Sequence, residues 1–536
     1  MNEKTYLLPS LSFPIDRPSA CAIESADGRM RKLGIGSPWR THIYRRSVDA
    51  RKKNAILFVY SVAVCGVFSV KEQERLLRAG FTPVNAEFPT PEEGNEELSA
   101  RPVVVGSGPA GLFAALLLAE HGYRPLLLER GGDVDERVRA ISAFRITRKL
   151  DPETNIQFGA GGAGTFSDGK LVTRVNDPLT GYVLSRFVSF GAPEEIAWMA
   201  KPHIGTDVLR EVVSNMIARI RELGGEVRFN CRVDDLAFST ESVRAVRLAG
   251  GEEIACGALV LAIGHSARDT YRMLLSRGIT VEPKPFSVGL RIEHLQEDID
   301  RAMYGAQAGH PVLGHAEYNL SDRTGERGVY TFCMCPGGEV VAAASEEGGV
   351  VVNGMSHHAR DGRNSNAAVA VSVMPEDYGN TPTGAIEFQR SIERAAFRAG
   401  GGDYSAPICL LGDFLAGECK NEPCRIQPTY MEGGVRLASP DAYLPQFVTA
   451  ALRTALPNFE RRIRGYAASD AVLTGPETRT SAPVRIPRNE ARVAPSCNNL
   501  YPTGEGAGYA GGITSAALDG LHTAMALINR YARPCR

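Results

Sequence analysis

A single glycine-rich turn constrains the fold of this chain more than any other sequence feature. Gly106, Gly108 and Gly111 follow the apolar run 102–105, and an apolar helix pattern follows them. A second apolar strand then ends at Glu129. The first glycine permits a tight turn, the second lets backbone approach a pyrophosphate, and the third lets the helix pack on the strand. The spacing predicts a strand–turn–helix–strand unit that binds a dinucleotide at the helix N-terminus.

A distant C-terminal segment indicates which dinucleotide this unit binds. Glu129 ends a strand where a carboxylate can accept hydrogen bonds from a ribose and disfavours a 2′-phosphate, which leaves FAD or NAD. Residues 499–513 predict a strand, a glycine loop and a helix from about Gly512. In two-lobed flavoproteins such a loop returns to the flavin, with an acid at the ribityl chain and a helix N-terminus near the ring. Glu505 has the position of that acid, so the sequence predicts noncovalently bound FAD.

The run 158–170 repeats the glycine spacing at Gly159, Gly161 and Gly164 but has no flanking strand–helix–strand unit. We expect it to form a loop along the pyrophosphate and the flavin rather than a second nucleotide-binding unit. Lys170 could then contact a flavin oxygen or a substrate carboxylate. The alternative is a solvated surface lysine, the usual place for an isolated lysine.

The predicted cofactor contacts come from these glycine segments and from the ends of neighbouring strands. They are Gly106, Gly108, Pro109, Ala110, Gly111, Glu129, Arg130, Gly161, Gly162, Gly164, Thr165, Val233, Gly264, Gly504, Glu505, Gly511, Gly512 and Ile513.

Basic residues are the candidates for holding a substrate, because arginine can bind a carboxylate with two hydrogen bonds. The predicted catalytic or substrate-binding residues are Lys170, Arg291, Arg485 and His265, with Arg479 as a further candidate for a carboxylate. His265 follows the apolar strand 261–264, a good place for a catalytic acid, although it could instead cap a turn. His357 and His358 have no acid or cysteine at metal-ligand spacing, so no metal is predicted.

The N-terminal part, residues 1–95, predicts a small α+β unit. Its pattern indicates a strand near Ile43, a helix from Ser47, an apolar strand region and a helix from Val70. The acidic, proline-bearing stretch 89–97 is typical of a linker.

The rest of the chain predicts an α/β protein in which one domain interrupts another. Residues 101–279 and 489–536 are the two parts of a Rossmann-like FAD-binding domain. From about Thr280 the pattern changes to separated strands with intervening helices. Residues 280–488 are therefore predicted to be an inserted mixed α+β substrate domain.

The chain's charge and apolar content exclude several classes of partner. Lysine plus arginine (60) nearly equals aspartate plus glutamate (61), so a net charge of −1 gives no overall attraction to nucleic acid or an anionic membrane. The N-terminus lacks the basic flank and apolar core of a secretory signal. The longest apolar run, 55–68, is shorter than the about 20 residues that span a bilayer. Eleven cysteines, odd in number and mostly isolated, favour the cytoplasm over a disulfide framework.

Cys333 and Cys335 flank one methionine and could form a redox pair. In a regular strand both side chains face the same side, and the backbone must distort to join them. Cysteine is also among the most buried residue types. We therefore expect structural packing rather than an obligatory redox couple.

From about Arg101 onward the sequence resembles the bacterial FAD-dependent dehydrogenases, a poorly characterised family related to the glutathione-reductase-type flavoproteins. The matching stretches are 155–170, 201–206, 284–291, 332–340, 474–485 and 499–521. The segment 46–53 and the apolar run after it resemble the small ferredoxin-like domain that precedes the flavin domain in that family. The resemblance implies FAD, a two-lobed fold and oxidoreductase activity, but no particular substrate. Ala160 departs from the family pattern, which has glutamate there, and this puts one contact with substrate or flavin in doubt.

The favoured interpretation is an FAD-dependent dehydrogenase that moves a hydride between flavin N5 and a small, carboxylate-bearing substrate held between the two domains. Its electron acceptor or donor is unknown, and NAD(P)H is expected to be a weak donor because the sequence has one fingerprint. An alternative is an FAD-dependent RNA-modifying enzyme that docks RNA through the basic run 40–53, which we expect instead to be a solvated helix face. A third is a flavin-loaded binding protein without turnover.

Overall fold

The computed structural model describes residues 2–84, 88–173 and 175–534. Its N-terminal part contains β1 (Lys4–Pro14), α1 (Ala20–Lys32), β2 (Trp39–Asp49), β3 (Leu57–Gly66), α2 (Val70–Arg78) and β4 (Thr82–Val84). The strands form an antiparallel sheet in the order β2-β3-β1-β4. Ser69 and Glu72 form a capping box that fixes the start of α2 at the predicted residue. This βαββαβ arrangement is the ferredoxin-like fold that the resemblance implies.

The predicted helix from Ser47 is wrong, because β2 continues to Asp49 and pairs with the apolar β3 along its whole length. Pairing with a buried neighbour outweighs local preference in such a segment. The basic run therefore lies on an edge strand and the following hairpin, not on a helix face. Arg46 stacks on Phe58 and Trp198, with 4.7 Å from its guanidinium carbon to each ring centre, and so joins this part to the next domain.

The first part of the FAD-binding domain alternates short buried strands with helices. Its elements are β5 (Val103–Val105), α3 (Pro109–Glu120), β6 (Leu126–Leu128), α4 (Val134–Thr147), α5 (Thr180–Ser189), α6 (Thr206–Glu222), β7 (Glu226–Arg228), β8 (Val233–Ser239), β9 (Ser242–Leu248), β10 (Glu253–Ala255), β11 (Leu259–Leu261) and α7 (Arg268–Ser276).

The remaining elements alternate longer strands with helices before the chain returns to the first sheet. They are β12 (Glu282–Pro283), β13 (Phe286–Leu295), α8 (Gln296–Tyr304), β14 (Ser321–Asp322), β15 (Val329–Cys335), β16 (Glu339–Ala342), β17 (Val352–Met355), β18 (Asn364–Val373), α9 (Pro382–Ala399), β19 (Ala406–Leu410), α10 (Leu411–Ala416), β20 (Val435–Leu437), α11 (Gln446–Phe459), β21 (Val472–Glu477), β22 (Val484–Arg485), β23 (Leu500–Pro502) and α12 (Ile513–Arg530).

The two sheets confirm a Rossmann-like domain with an insertion. The parallel sheet has the order β23-β11-β5-β6-β7, so the last strand pairs beside β11 although more than 200 residues separate them. Between those two strands the chain forms a mixed sheet in the order β14-β15-β18-β13-β21-β19-β20. The antiparallel pair β12–β22 lies where this insertion begins and ends. The residue boundaries of the domains stay a prediction.

The C-terminal helix α12 packs on α3. Residues 88–99 lie against its end: the N–H of Gly94 donates to the carbonyl of Ile528 at 2.9 Å, and that of Ala532 donates to Glu96 at 2.8 Å. The predicted linker is therefore held in place by backbone hydrogen bonds. Within the described ranges, no helix is both long and apolar enough to cross a membrane.

Gly520 allows α12 to contact the start of α3. A Cβ atom at this position would lie 2.1 Å from the carbonyl oxygen of Ala110 and 2.8 Å from its carbonyl carbon. Backbone atoms cannot move aside as a flexible side chain can, so the two helices would have to separate.

We expect Gly520→Ala to lower the free energy of unfolding by about 1–3 kcal/mol, the usual cost of overpacking. Gly181→Ala on α5 is the matched control, because a Cβ there meets nothing within 4 Å. Thermal melting checks both variants, and Gly181→Ala should equal or slightly exceed the wild type, since alanine favours a helix. Equal melting temperatures for Gly520→Ala and the wild type would contradict the close contact.

Candidate functional site

The turn between β5 and α3 leaves no room for side chains at two of its glycines. Gly106 has φ +100°, and a Cβ there would lie 2.3 Å from the carbonyl oxygen of Ala262. A Cβ at Gly111 would lie 1.9 Å from the carbonyl oxygen of Gly106, so glycine lets α3 begin close to the sheet. Gly108 caps α3 and Pro109 is its first residue. The N-terminus of α3 therefore begins at the turn, an arrangement suited to a phosphate.

Glu129, at the end of β6, is buried and accepts hydrogen bonds from three backbone segments. Its Oε1 accepts from the N–H groups of Gly131 at 3.0 Å and Gly159 at 2.9 Å. Its Oε2 accepts from the N–H of Ser107 at 2.9 Å and from its hydroxyl at 2.7 Å. A carboxylate has about four acceptor positions, so Glu129 is used to hold the turn in shape. The predicted contact with a ribose stays a prediction.

Arg137, on α4, is a fully buried residue that the sequence did not single out. Its guanidinium donates to the carbonyl oxygens of Asn155, Ile156 and Gly162 at 3.0–3.2 Å, and to that of Ala160 at 2.5 Å. The loop 155–162 is therefore folded around one cation. Ala160, the departure from the family pattern, is itself fully buried.

The three glycine segments meet at one place. A Cβ at Gly162 would lie 2.9 Å from the Cα of Gly108, and one at Gly504 would lie 2.7 Å from the Cβ of Ala110. Glycine at these positions therefore lets the three segments approach one another closely. The residues present thus fit FAD with its pyrophosphate at α3 and its flavin near the start of α12. The other predicted contacts around this point are Gly161, Gly164, Thr165, Gly264, Gly511, Gly512 and Ile513.

A cleft of about 470 Å³ lies between the FAD-binding and inserted domains. Arg130 and Phe158 line one side, with the guanidinium carbon 4.1 Å from the ring centre, and Glu346 lines the other. Arg130 also pairs with Glu153 at 2.9 Å. Val233 begins β8 directly after Arg232, which lines the same cleft.

Asp519, on α12, fixes the C-terminal glycine loop, and the sequence did not reveal this role. Its carboxylate accepts from the N–H of Gly504 at 2.7 Å and the hydroxyl of Thr503 at 3.0 Å. It also pairs with Arg488 at 2.6 Å and Arg492 at 2.7 Å. Burial disfavours the charged form, but these hydrogen bonds and cations outweigh it and hold the pKa of Asp519 at about 2.

Glu505, in the same loop, makes no side-chain hydrogen bond to any residue that the structure describes. Burial raises the pKa of Glu505 to about 8, although the charge of Lys284 opposes the rise. The hydroxyl of Tyr271 donates to the carbonyl of Gly506 at 2.8 Å beside it. Glu505 therefore offers a carboxyl group with free hydrogen-bonding atoms at the position predicted for the ribityl chain.

Arg291 is not available for a substrate carboxylate, so this part of the prediction is corrected. The side chain is fully buried in the inserted domain, and each of its N–H groups has a protein acceptor. Two bonds go to Glu477, and the others go to Asn366 at 2.8 Å, Asn353 at 2.9 Å and the carbonyl of Cys333 at 2.8 Å. The guanidinium thus connects the strands of the inserted sheet.

Lys170 and Arg479 are also committed to acids. The ammonium of Lys170 lies 2.9 Å from Asp168 and 3.2 Å from Glu317, so it is neither a free anion ligand nor a solvated lysine. Arg479 binds Glu393 at 3.0 Å.

Arg485 differs from the other predicted cations. It is exposed at the end of β22 and makes no ion pair within the described part of the chain. Its guanidinium carbon lies 5.2 Å from the ring centre of Tyr509, beside the C-terminal glycine loop. Of the basic residues that the sequence singled out, Arg485 is the one that can still bind an anion.

His265 does not have the protonation state of a catalytic acid. Burial lowers the pKa of His265 to about 3, and the nearby charges of Arg479 and Arg268 contribute. Its Nδ1 lies 2.8 Å from the hydroxyl oxygen of Ser266. The ring is therefore neutral at physiological pH, which agrees better with the turn-capping alternative.

We expect Glu129→Arg to strip FAD from the protein, because a cation cannot accept the hydrogen bonds that shape the turn. Charge-assisted hydrogen bonds contribute about 1.5–3 kcal/mol each. Heat precipitation followed by absorbance of the supernatant measures FAD released per chain. Glu97→Arg, at an exposed position, makes the same charge change and should keep wild-type occupancy. Wild-type FAD content in folded Glu129→Arg would contradict the role of Glu129, and colour retained in the pellet would contradict noncovalent binding.

We expect Asp519→Asn to lower the melting temperature at pH 7, because it leaves two half-buried arginines without their acid; the cost is at most about 3–5 kcal/mol, that of a broken buried pair. The folded pKa of about 2 lies below the unfolded value of about 3.9, so this stabilisation is present above pH 4 and is lost as pH falls towards 2.

Melting temperatures measured from pH 7 to pH 3 check that the stabilisation by Asp519 is lost at low pH. The difference between wild type and Asp519→Asn should stay constant down to about pH 5 and narrow below about pH 4. Asp361→Asn, an exposed control, should melt like the wild type. A difference that already closes between pH 7 and pH 5 would assign the effect to another group.

Two family models match this chain over the regions just described. The model described as FAD-dependent protein, C-terminal domain-like, matches residues 285–480, which belong to the inserted domain. The model described as NAD(P)-binding Rossmann-like domain matches residues 104–144, the fingerprint unit and the start of α4.

Curated relatives include a protein of Clostridium beijerinckii described as uncharacterized, which is 47% identical over 502 residues, 92% of this chain and 93% of the relative. A digeranylgeranylglycerophospholipid reductase of Methanocaldococcus jannaschii is 35% identical over 88 residues, 16% of this chain and 22% of the reductase. This second match covers only a short part of either chain.

Solved structures with some likeness include CtdE in complex with FAD, at 11% identity and a TM-score of 0.33, covering 81% of this chain and 84% of CtdE. Halogenase PltM has 11% identity and a TM-score of 0.37, covering 80% of this chain and 67% of the halogenase. These scores are too low to support an inference. The family models and the Clostridium relative confirm the resemblance seen in the sequence: this chain belongs to the family of FAD-dependent proteins, and FAD is its cofactor.

Proposed function

We propose that this flavoprotein is an oxidoreductase, a dehydrogenase that transfers a hydride between the flavin and a small, carboxylate-bearing substrate. The observation that supports it is a pair of cations, Arg485 and Lys284, that have no acid partner within hydrogen-bonding distance among the described residues. Burial lowers the pKa of Lys284, Glu505 raises it and Arg485 lowers it, so the three groups are neighbours. Two cations beside one loop attract an anion, and arginine suits a carboxylate.

The position of these cations agrees with a substrate between two domains. Lys284 follows β12 and Arg485 ends β22, the strand pair at which the inserted domain begins and ends. A Cβ at Gly508, in the C-terminal loop, would lie 3.1 Å from the Cα of Arg485, so this pair contacts the FAD-binding domain. Ligand sites are common at such junctions.

Three groups of residues would hold FAD, one for each part of the cofactor. The turn at Gly106 and the N-terminus of α3 would bind the pyrophosphate, Arg130 and its cleft the adenosine, and Glu505 the ribityl chain. When bound, FAD supplies two-electron chemistry by accepting or giving a hydride at N5. The N-terminus of α12, at Ile513, has a positive potential that would stabilise negative charge nearby.

Glu505 would keep its proton at neutral pH, since burial raises its pKa to about 8. A neutral carboxyl donates one hydrogen bond and accepts others, which suits a hydroxyl-rich chain. Tyr271 beneath it is committed to the carbonyls of Gly264 at 3.1 Å and Gly506 at 2.8 Å. Tyr271, which is fully buried, thereby joins the loop to the segment after β11.

A nicotinamide dinucleotide fits this arrangement less well. In the described ranges, one strand–turn–helix–strand fingerprint occurs, and it is formed by β5, α3 and β6. The strands after Thr280 form the mixed sheet of the inserted domain instead. We therefore expect NADH and NADPH to be weak hydride donors.

Anaerobic stopped-flow measurement of flavin bleaching tests the proposal. Hydroxy and amino acids are compared with their own amides, and with NADH and NADPH. We expect at least one acid to bleach the flavin with saturation and its amide to bleach it at least about tenfold more slowly, because the cations lose their anion. Fast, saturable bleaching by NADH or NADPH at micromolar concentration would contradict the proposal, as would equal rates for acid and amide.

Arg485→Met then tests the anion site with the acid that bleaches best. Loss of a charge-assisted pair costs about 1.5–3 kcal/mol, so the dissociation constant should rise about 10- to 100-fold with FAD content unchanged. Arg78→Met, an exposed change in the N-terminal domain, is the matched control. Unchanged affinity in Arg485→Met would remove the substrate role of Arg485.

A further inference from the structure

The strand that carries Cys333 and Cys335 is irregular at that point. β15 pairs with β18 in register up to Phe332, and the register shifts before Cys335. Cys333 has φ +45°, which is uncommon for a residue with a side chain. The Sγ of Cys335 donates to the carbonyl oxygen of Cys333 at 3.4 Å. The backbone therefore departs from a regular strand at these residues, so regular-strand geometry does not decide whether the two thiols can join. The expectation of structural packing stays a prediction.

Cations and acids both face these thiols. The Nη1 of Arg291 lies 2.8 Å from the carbonyl oxygen of Cys333 and 4.0 Å from the Sγ of Cys335. The positive charge of Lys170 also reaches Cys333. The acids on the same side are Asp168, which pairs with Lys170 and Arg360, and Glu477, which pairs with Arg291.

The two thiols differ in acidity. The neighbouring Cys335 thiol, followed by the charges of Arg291 and Lys170, lowers the pKa of the Cys333 thiol, although burial opposes this. The Cys333 thiol beside it and burial raise the pKa of Cys335. A thiolate beside cations, with a protonated partner next to it, is the arrangement of a reactive cysteine pair.

The two thiols also differ in access. Cys333 is partly exposed, whereas Cys335 is buried. A small molecule in solvent therefore reaches Cys333 before Cys335. The fold therefore sets the order in which the two cysteines react, with Cys333 first.

We propose that Cys333 and Cys335 are a redox-active pair that a small-molecule disulfide oxidises to an intramolecular disulfide. The Cys333 thiolate attacks one sulfur of the small molecule, whose S–S bond breaks and releases one thiolate. Cys335 gives its proton to that thiolate and attacks the Sγ of Cys333, which releases the second half as a thiolate. Two protein sulfurs are oxidised and one disulfide is reduced. The reaction uses no substrate of the flavin, so it stands apart from the proposed function.

Mass spectrometry of the FAD-loaded full chain tests the pair. The protein is treated with oxidised glutathione, free thiols are blocked with iodoacetamide, and peptides are identified. We expect a peptide with a Cys333–Cys335 disulfide in the wild type. Cys335→Ser should stop at a glutathione adduct on Cys333, and Cys333→Ser should leave Cys335 without one.

A second measurement needs no variant. The rate of iodoacetamide labelling is compared at pH 6 and pH 8 for Cys333 and for Cys424, an exposed cysteine of the same chain. An ordinary thiol with a pKa near 8.5 labels about 75-fold faster at pH 8. We expect a rise below about tenfold at Cys333, since much of it is already thiolate at pH 6.

Two outcomes would overturn the proposal. One is that Cys333 and Cys335 stay reduced while Cys424 forms its glutathione adduct. The other is that labelling of Cys333 rises as steeply with pH as labelling of Cys424. Either result would assign the two cysteines to packing alone.

Discussion

Two buried side chains of opposite charge, Glu129 and Arg137, hold the cofactor end of this molecule in shape. Glu129 accepts from backbone N–H groups of the fingerprint turn and the loop 155–162, and Arg137 donates to carbonyl groups of that same loop. A buried backbone group without a partner costs about 1–3 kcal/mol. The loop forms no strand or α-helix that could satisfy those groups, so its path follows from the two side chains. Burial lowers the pKa of Arg137 to about 9, and the charge of Glu129 opposes this and so stabilises the cation.

A second network of buried charges fixes the position of the inserted domain on the FAD-binding domain. Arg268, at the start of α7, pairs with Glu393 on α9 at 2.8 Å, and Arg479 pairs with the same carboxylate at 3.0 Å. Buried charges are tolerated only with good geometry and full hydrogen bonding, so such a network favours one arrangement of its parts. Burial lowers the pKa of His265, and the charges of these two arginines add to that effect. Residues that resemble substrate ligands in the sequence therefore serve to dock one domain on the other.

Periodicity and glycine spacing predicted the strands, the fingerprint and the insertion, because those signals depend on neighbouring residues. They could not assign Glu477 to Arg291, because it lies 186 residues away. Of the two acids that bind Lys170, Asp168 is two residues away, whereas Glu317 is 147 residues away and could not be assigned. The bulge at Cys333 and the strand at Ser47 likewise depend on pairing with distant strands. Arg137 did leave a signal, since it shares its helix face with apolar residues, and an inward-facing arginine needs acceptors. Those residues are Val134, Ile141 and Phe144.

The short pair β12–β22 has a consequence for how such a chain can change over time. Pro283 lies opposite Val484, so the inserted domain begins and ends at adjacent points although about 200 residues separate them. A segment whose two ends are side by side can be lengthened, shortened or exchanged without altering the strand order of the sheet from which it projects. The inserted domain can therefore diverge in sequence and shape as a module. The fingerprint turn and the loop 155–162, which Glu129 and Arg137 hold in place, can stay the same.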